Sequence, residues 1–240
     1  MAADIGSHFH VSRSIQYCAL MCGRYTLHTR DRIELKSLPF APRYNIAPSQ
    51  DVLVIADFGG GVETRSLTWG LIPSWSTDGK AFINARAETL EERPSFSESF
   101  RLRRCIIPAS GFFEWKRSGK AKRPFYFQSH DEATLAFAGI WDTWSHRGKV
   151  ITSCAIITTP ANDLVQELHD RMPAILVPEV QHDWLNPRTN RVALLRMLQP
   201  YPASQMKLHP VSSGVNSPEN DSADLLLAID AEVGQTLSLF

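Results

Sequence analysis

No apolar run in the 240 residues approaches the roughly 18 needed to cross a bilayer, so a membrane span is not expected. Net charge is also missing: 25 Lys and Arg balance 25 Asp and Glu. No global field therefore advertises a polyanionic partner, and any surface for one must come from local clustering of basic residues. Cysteine is scarce, with four residues (Cys18, Cys22, Cys105 and Cys154) that show neither a CxxC pair nor zinc-ligand spacing. This usage agrees with a reducing compartment. The eight histidines show no HExxH or other metal spacing, so neither a metal site nor a cofactor is expected. Internal repeats and long linkers are absent, and the first twenty residues lack the continuous apolar segment of a secretory signal.

What is present reads as one compact domain. Runs rich in β-branched and aromatic residues predict strands at Val52–Ile55, Arg65–Trp69, Phe125–Gln128, Leu135–Ile140 and Val150–Thr158. Short helices are predicted at Ser95–Arg103, Ala161–His169 and Arg191–Leu198, with Pro160 near a first turn. The order is not a regular βαβ alternation. It predicts an α+β fold: a single domain with a β-rich core, mixed but largely antiparallel and barrel-like, and short flanking helices. The expected boundaries are a poorly ordered leader over 1–21, the domain over 22–222, with Ser212–Asp221 loop-like, and a tail helix over 223–240. The leader is expected to be an added or removed segment, or the result of a start assigned upstream of Met21.

Met21-Cys22 is the run richest in chemistry. As an N-terminal residue, Cys22 would carry a primary amine and a thiol on adjacent carbons, with reference pKa values near 8 and 8.5. That pair captures an aldehyde as an imine, which the sulfur closes to a thiazolidine. Cys105 and Cys154 lie in apolar stretches and read as buried small hydrophobes. Glu114 sits among aromatics in Gly111-Phe112-Phe113-Glu114-Trp115. Buried there, its carboxyl would be pushed up by desolvation and become a candidate acid or base; strand alternation could equally turn it to solvent. Asn84 is a neutral donor and acceptor beside Arg86, or a turn or capping asparagine. His169 follows a predicted helix, whose dipole would favour its protonated form. It is a candidate proton shuttle or a simple cap.

Basic residues cluster at Arg101, Arg103 and Arg104 and from Lys116 to Arg123. With Trp69, Trp75 and Tyr44 interleaved among such groups, the ingredients of a single-stranded nucleic-acid groove are present. For Lys116–Arg123, a solvated hairpin turn centred on Ser118-Gly119 reads equally well.

Taken together, these runs resemble the SOS response-associated peptidase (SRAP) family of abasic-site processing proteins. The matching runs are Met21-Cys22-Gly23-Arg24-Tyr25, Tyr44-Asn45-Ile46-Ala47-Pro48, Trp69-Gly70-Leu71-Ile72-Pro73, Asn84-Ala85-Arg86-Ala87-Glu88-Thr89 and Arg104-Cys105-Ile106-Ile107-Pro108. Gly111–Trp115, Phe137–Trp141, His169-Asp170-Arg171-Met172-Pro173 and Val215-Asn216 follow in the family's order.

The resemblance implies a DNA-repair protein that binds single-stranded DNA and crosslinks to abasic sites through Cys22. An associated lyase activity is implied, with a role in the SOS response. Cys22, Asn84, Glu114 and His169 are the implied catalytic set. Arg24, Asn45, Pro48, Trp69, Trp75 and Arg86, with Arg43, are the implied DNA contacts. The family name carries the alternative of a thiol (auto)peptidase using the same cysteine. The expected partner is single-stranded DNA containing abasic sites, met by a monomer in the cytoplasm at the nucleoid, with no membrane involved.

Overall fold

A computed structural model of the chain describes residues 23–29, 41–118 and 121–230. Cys22, the expected leader and the last ten residues of the expected tail helix lie outside them. The described elements run β1 (Tyr25–Leu27), β2 (Arg43–Ile46), β3 (Asp51–Asp57), β4 (Val62–Trp69), β5 (Asn84–Arg86), α1 (Ser97–Leu102), β6 (Arg104–Ala109), β7 (Gly111–Ser118), β8 (Ala121–Ser129) and β9 (Leu135–His146). They continue with β10 (Lys149–Pro160), α2 (Asp163–Gln166), β11 (Arg171–Pro173), α3 (Pro178–Leu185), α4 (Arg191–Arg196) and β12 (Met206–Pro210).

β10 closes the barrel. It pairs antiparallel with β9 and, through Ser153 and Cys154, parallel with Thr68 and Trp69 of β4. Since β4, β3, β6 and β9 are successive neighbours, the five strands form a ring. Seven consecutive residues of β10, Ser153 to Thr159, are buried. Both faces are covered there, which is why the segment reads as a continuous apolar run rather than an alternating one. The last residues of β10 leave the ring to pair with β5 on one side and β11 on the other.

A second sheet, in the order β12-β8-β7-β1-β2, lies against this barrel. Tyr25, Phe112 and Phe127 from the sheet pack into one apolar cluster with Trp69, Phe137 and Ile156 of the barrel. Gly111 is required by close approach: a Cβ there would lie 2.3 Å from the Phe127 carbonyl oxygen. A separate cluster beneath α1, α3 and α4 is anchored by Phe100, Trp184 and Leu194. The Trp184 indole donates to the Cys105 carbonyl at 2.9 Å and fixes α3 on β6.

The barrel-like α+β expectation holds, as does the burial of Cys105 and Cys154. The helices are shorter than the sequence predicts. Pro160 ends β10 instead of opening a helix, and Asn162 caps α2 by accepting from the Val165 N–H at 2.9 Å. α3 was not expected from the sequence, because its apolar positions are few and only Trp184 is fully enclosed. In the expected tail helix, Ala223–Leu226 forms a single 3-10 turn, and the stretch read as loop contains another at Ser213–Asn216.

Candidate functional site

Glu114 is positioned by β7. Its side chain is 2% exposed, which resolves the alternation in favour of burial. Phe112 and Glu114 lie on the same face, because side chains alternate along a strand. The neighbouring strand fixes what Glu114 meets. Tyr25 pairs with Phe112 and Thr26 with Gly111, and the Phe113 N–H donates to the Arg24 carbonyl at 3.0 Å. Continuing this antiparallel register sets Gly23, the residue after Cys22, opposite Glu114.

Asn84 is the first residue of β5, half-buried and paired in parallel with Ile156 of β10. It is therefore a strand residue, not a cap. Arg86, two residues on, is exposed and lies across from Thr158. On the other side of β10, Thr158 pairs with Pro173 of β11, just past His169 and Arg171. The end of β10 thus gathers Asn84 and Arg86 on one flank and the His169-Asp170-Arg171 run on the other. Ile83, Phe112, Leu168 and Met172 border the same apolar cluster, which draws the surroundings of Asn84, Glu114 and His169 onto one core.

His169 departs from the helix-dipole expectation. It lies three residues past the four-residue α2, and burial pushes its pKa below the ordinary histidine value. The Asp170 carboxylate opposes that shift, while the Arg117 and Arg171 charges reinforce it. Nδ1 lies 3.1 Å from the Arg171 backbone nitrogen and 3.0 Å from the Asp170 carboxylate, so local groups engage this ring nitrogen.

Sequence reasoning gave Arg171 no role. It is 8% exposed, holds both carboxylate oxygens of Glu88, and donates to the Thr158 carbonyl at 2.6 Å. Glu88 consequently has its pKa lowered, chiefly by the Arg171 hydrogen bond. Partners 83 residues apart carry no local signal that could have paired them.

The expected DNA contacts divide into two groups. Trp69 is fully buried and donates its indole N–H to the Ile83 carbonyl at 2.9 Å, so its expected place beside bases gives way to a core role. Asn45 is likewise fully buried. Its amide donates to the carbonyls of Val215, Ser217 and Asn220, and its Oδ1 accepts from Arg24 at 2.8 Å. Asn45 and Arg24 thus tie the 215–220 segment to the second sheet. Arg43 is paired with Asp221 at 3.6 Å, and Pro48 is half-buried just before Ser49.

Trp75 and Arg86 face solvent. Trp75 is 57% exposed on a turn pinned to β9: the Ser74 N–H donates to Asp142 at 2.8 Å, and the Trp144 indole donates to the Ser76 carbonyl at 2.7 Å. Two concavities of about 570 and 470 Å³ lie beside α3 and α4 and beside α1 and α4, and neither is lined by Asn84, Glu114 or His169. Among the described residues no group of three or more His, Cys, Asp or Glu could hold a metal ion. No described helix is long and apolar enough to cross a membrane.

The fold is found in solved structures. A protein of Bacteroides thetaiotaomicron superposes with a TM-score of 0.73 at 29% identity, covering 84% of this chain and 92% of its own. The model of the SOS response associated peptidase (SRAP) family matches residues 21–218, and the chain belongs to that family. Abasic site processing protein YoaM of Bacillus subtilis is 43% identical over 227 residues, 88% of this chain and 99% of the relative. Abasic site processing protein YedK of Escherichia coli is 31% identical over 220 residues, 86% of this chain and 99% of the relative.

Proposed function

We propose that the protein processes abasic sites, binding them in single-stranded DNA and capturing them covalently through Cys22 as the mature N-terminal residue. The names of the relatives support the substrate. The observation that carries the chemistry is the buried Glu114 carboxyl opposite Gly23, one residue from the amine that would react.

The ring-opened abasic sugar exposes an aldehyde at C1′. The Cys22 amine adds to C1′, and loss of water gives an imine. The sulfur then attacks C1′ while its proton passes to the nitrogen, closing a five-membered thiazolidine with one water released overall. Addition and dehydration both require proton transfers at nitrogen and oxygen. Glu114 serves as the relay for them, an effect of about 10²–10⁴-fold for a positioned acid or base. His169 serves as a second acid or base at the sugar oxygens. The Asn84 amide holds the opened sugar, and Arg86 meets a flanking phosphate with its planar fork.

Lyase activity would arise when a base removes a C2′ proton from the imine and the 3′ phosphate leaves. A carboxyl relay beside the Cys22 amine favours amine chemistry over the thiol peptidase reading, which needs a thiolate–imidazole pair and an oxyanion hole. The protein would shield such lesions in the cytoplasm, at the nucleoid.

The test compares the 240-residue chain with one begun at Met21 and processed to Cys22. Each is incubated with a uracil-containing single strand treated with uracil glycosylase, then run on a denaturing gel. Capture is expected only with a free Cys22 amine, and should be lost on acetylation or in Cys22→Ala. A band that survives both changes would refute the mechanism.

A further inference from the structure

The segment from Lys116 to Arg123 holds five basic residues and no acidic one. In the β7–β8 hairpin Lys116 lies directly opposite Arg123, and Arg117 directly opposite Lys122. Like charges facing each other across an antiparallel pair destabilise it. Some exposed cations of the described surface meet carboxylates, Arg65 with Glu63 and Arg191 with Glu91. No described carboxylate pairs with Lys116, Arg117 or Lys122, and all three are exposed. Repulsion between cations that face each other across the ladder is what a polyanion would neutralise.

The hairpin is continuous with the candidate site. Phe112, Glu114 and Lys116 alternate along β7 and share one face, so Lys116 lies two residues beyond Glu114, about 7 Å along the strand. Arg123 stands across from Lys116 on that face. Arg117 is near enough to His169 for its charge to oppose protonation of the ring. The hairpin therefore leads outward from the position where an abasic sugar would be held.

We propose that the β7–β8 hairpin is a phosphate-tracking arm, along which single-stranded DNA leaves the lesion site on the Glu114 face, with its backbone against the Lys116–Arg123 rung. The inference rests on the single-stranded DNA reading and assigns the path of one flank. Arg86, on β5, lies outside this arm. The bound strand also relieves the repulsion within the ladder.

The experiment measures binding of undamaged single-stranded oligonucleotide against salt for the wild type, the hairpin variant Lys116→Gln, and a control with the same charge change elsewhere, Lys149→Gln. Each lost phosphate contact lowers the steepness of log K against log salt by about 0.7. Between 50 and 200 mM salt the wild type should therefore lose about 2.6-fold more affinity than the hairpin variant, and the control should match the wild type. The hairpin variant's melting temperature should equal or exceed that of the wild type, since the repulsion is gone; this separates weaker binding from misfolding. If the wild type binds with the expected salt dependence and the hairpin variant shows the same slope, the arm is refuted while the DNA reading stands. A wild type that binds no single strand overturns both.

Discussion

Cutting the link between Glu88 and Arg171 measures what holds the His169 segment in place. Arg171 is 8% exposed, whereas the Glu88 side chain is 46% exposed. A surface ion pair contributes up to about 1 kcal/mol, and breaking a buried one costs about 3–5 kcal/mol. In Glu88→Gln the guanidinium keeps one acceptor, and water can reach it along the exposed side. The expected loss is therefore intermediate, about 1–2 kcal/mol.

Arg171→Met is different, because it removes a donor from the buried Thr158 carbonyl, a penalty of about 1–3 kcal/mol, while the exposed Glu88 simply rehydrates. With the lost pair included, about 2–4 kcal/mol is expected. Urea unfolding of both single variants and the double variant gives the coupling directly. A coupling below about 0.5 kcal/mol, or equal losses from the two single variants, would refute this account. The same proteins can be read by NMR titration. Arg171 is one of the charges that lower the His169 pKa, so His169 should titrate at higher pH in Arg171→Met than in the wild type.

Two tryptophans of the same sequence neighbourhood should behave oppositely. Trp69→Ala is expected to cost about 3–5 kcal/mol of stability; Trp75→Ala should change stability by under about 0.5 kcal/mol yet weaken single-strand binding by about 1–3 kcal/mol, both read by unfolding and by fluorescence titration. Glu114→Gln should slow capture of abasic oligonucleotide by about 10²-fold or more in a gel time course, and an unchanged rate would remove Glu114 from the proton relay. Stability should fall as pH drops below about 6.5. His28 and His169 both have pKa values lowered by burial, so the unfolded chain binds more protons there. Glu88, lowered by Arg171, adds a further loss nearer the carboxylate range. Melting curves from pH 8 to 4 check the sign, and a melting temperature that rises on acidification would contradict it.

The barrel-like core was legible because β-branched runs of the right length and a non-alternating order of elements leave few alternatives. The helix ends were misjudged where backbone partners decide them: Pro160 keeps its place at the end of β10, and Asn162 supplies the cap one step later.

What the sequence by itself determined is the resemblance to a family and, through it, the candidate residues Cys22, Asn84, Glu114 and His169 in their order along the chain. Only the tertiary structure decided which way each faces and what it meets. Glu114 could turn inward or outward while both faces of its strand carried aromatics; packing of the second sheet on the barrel encloses it, and the β1–β7 register sets Gly23 across from it. Trp69 and Trp75 look alike as stacking platforms until the closure of β10 on β4 buries the first and leaves the second on a pinned turn. Arg171 reaches Glu88, and Lys116 faces Arg123, through pairings that local periodicity does not encode. Burial and register are properties of what lies across the sheet, and the chain writes down only one side of each.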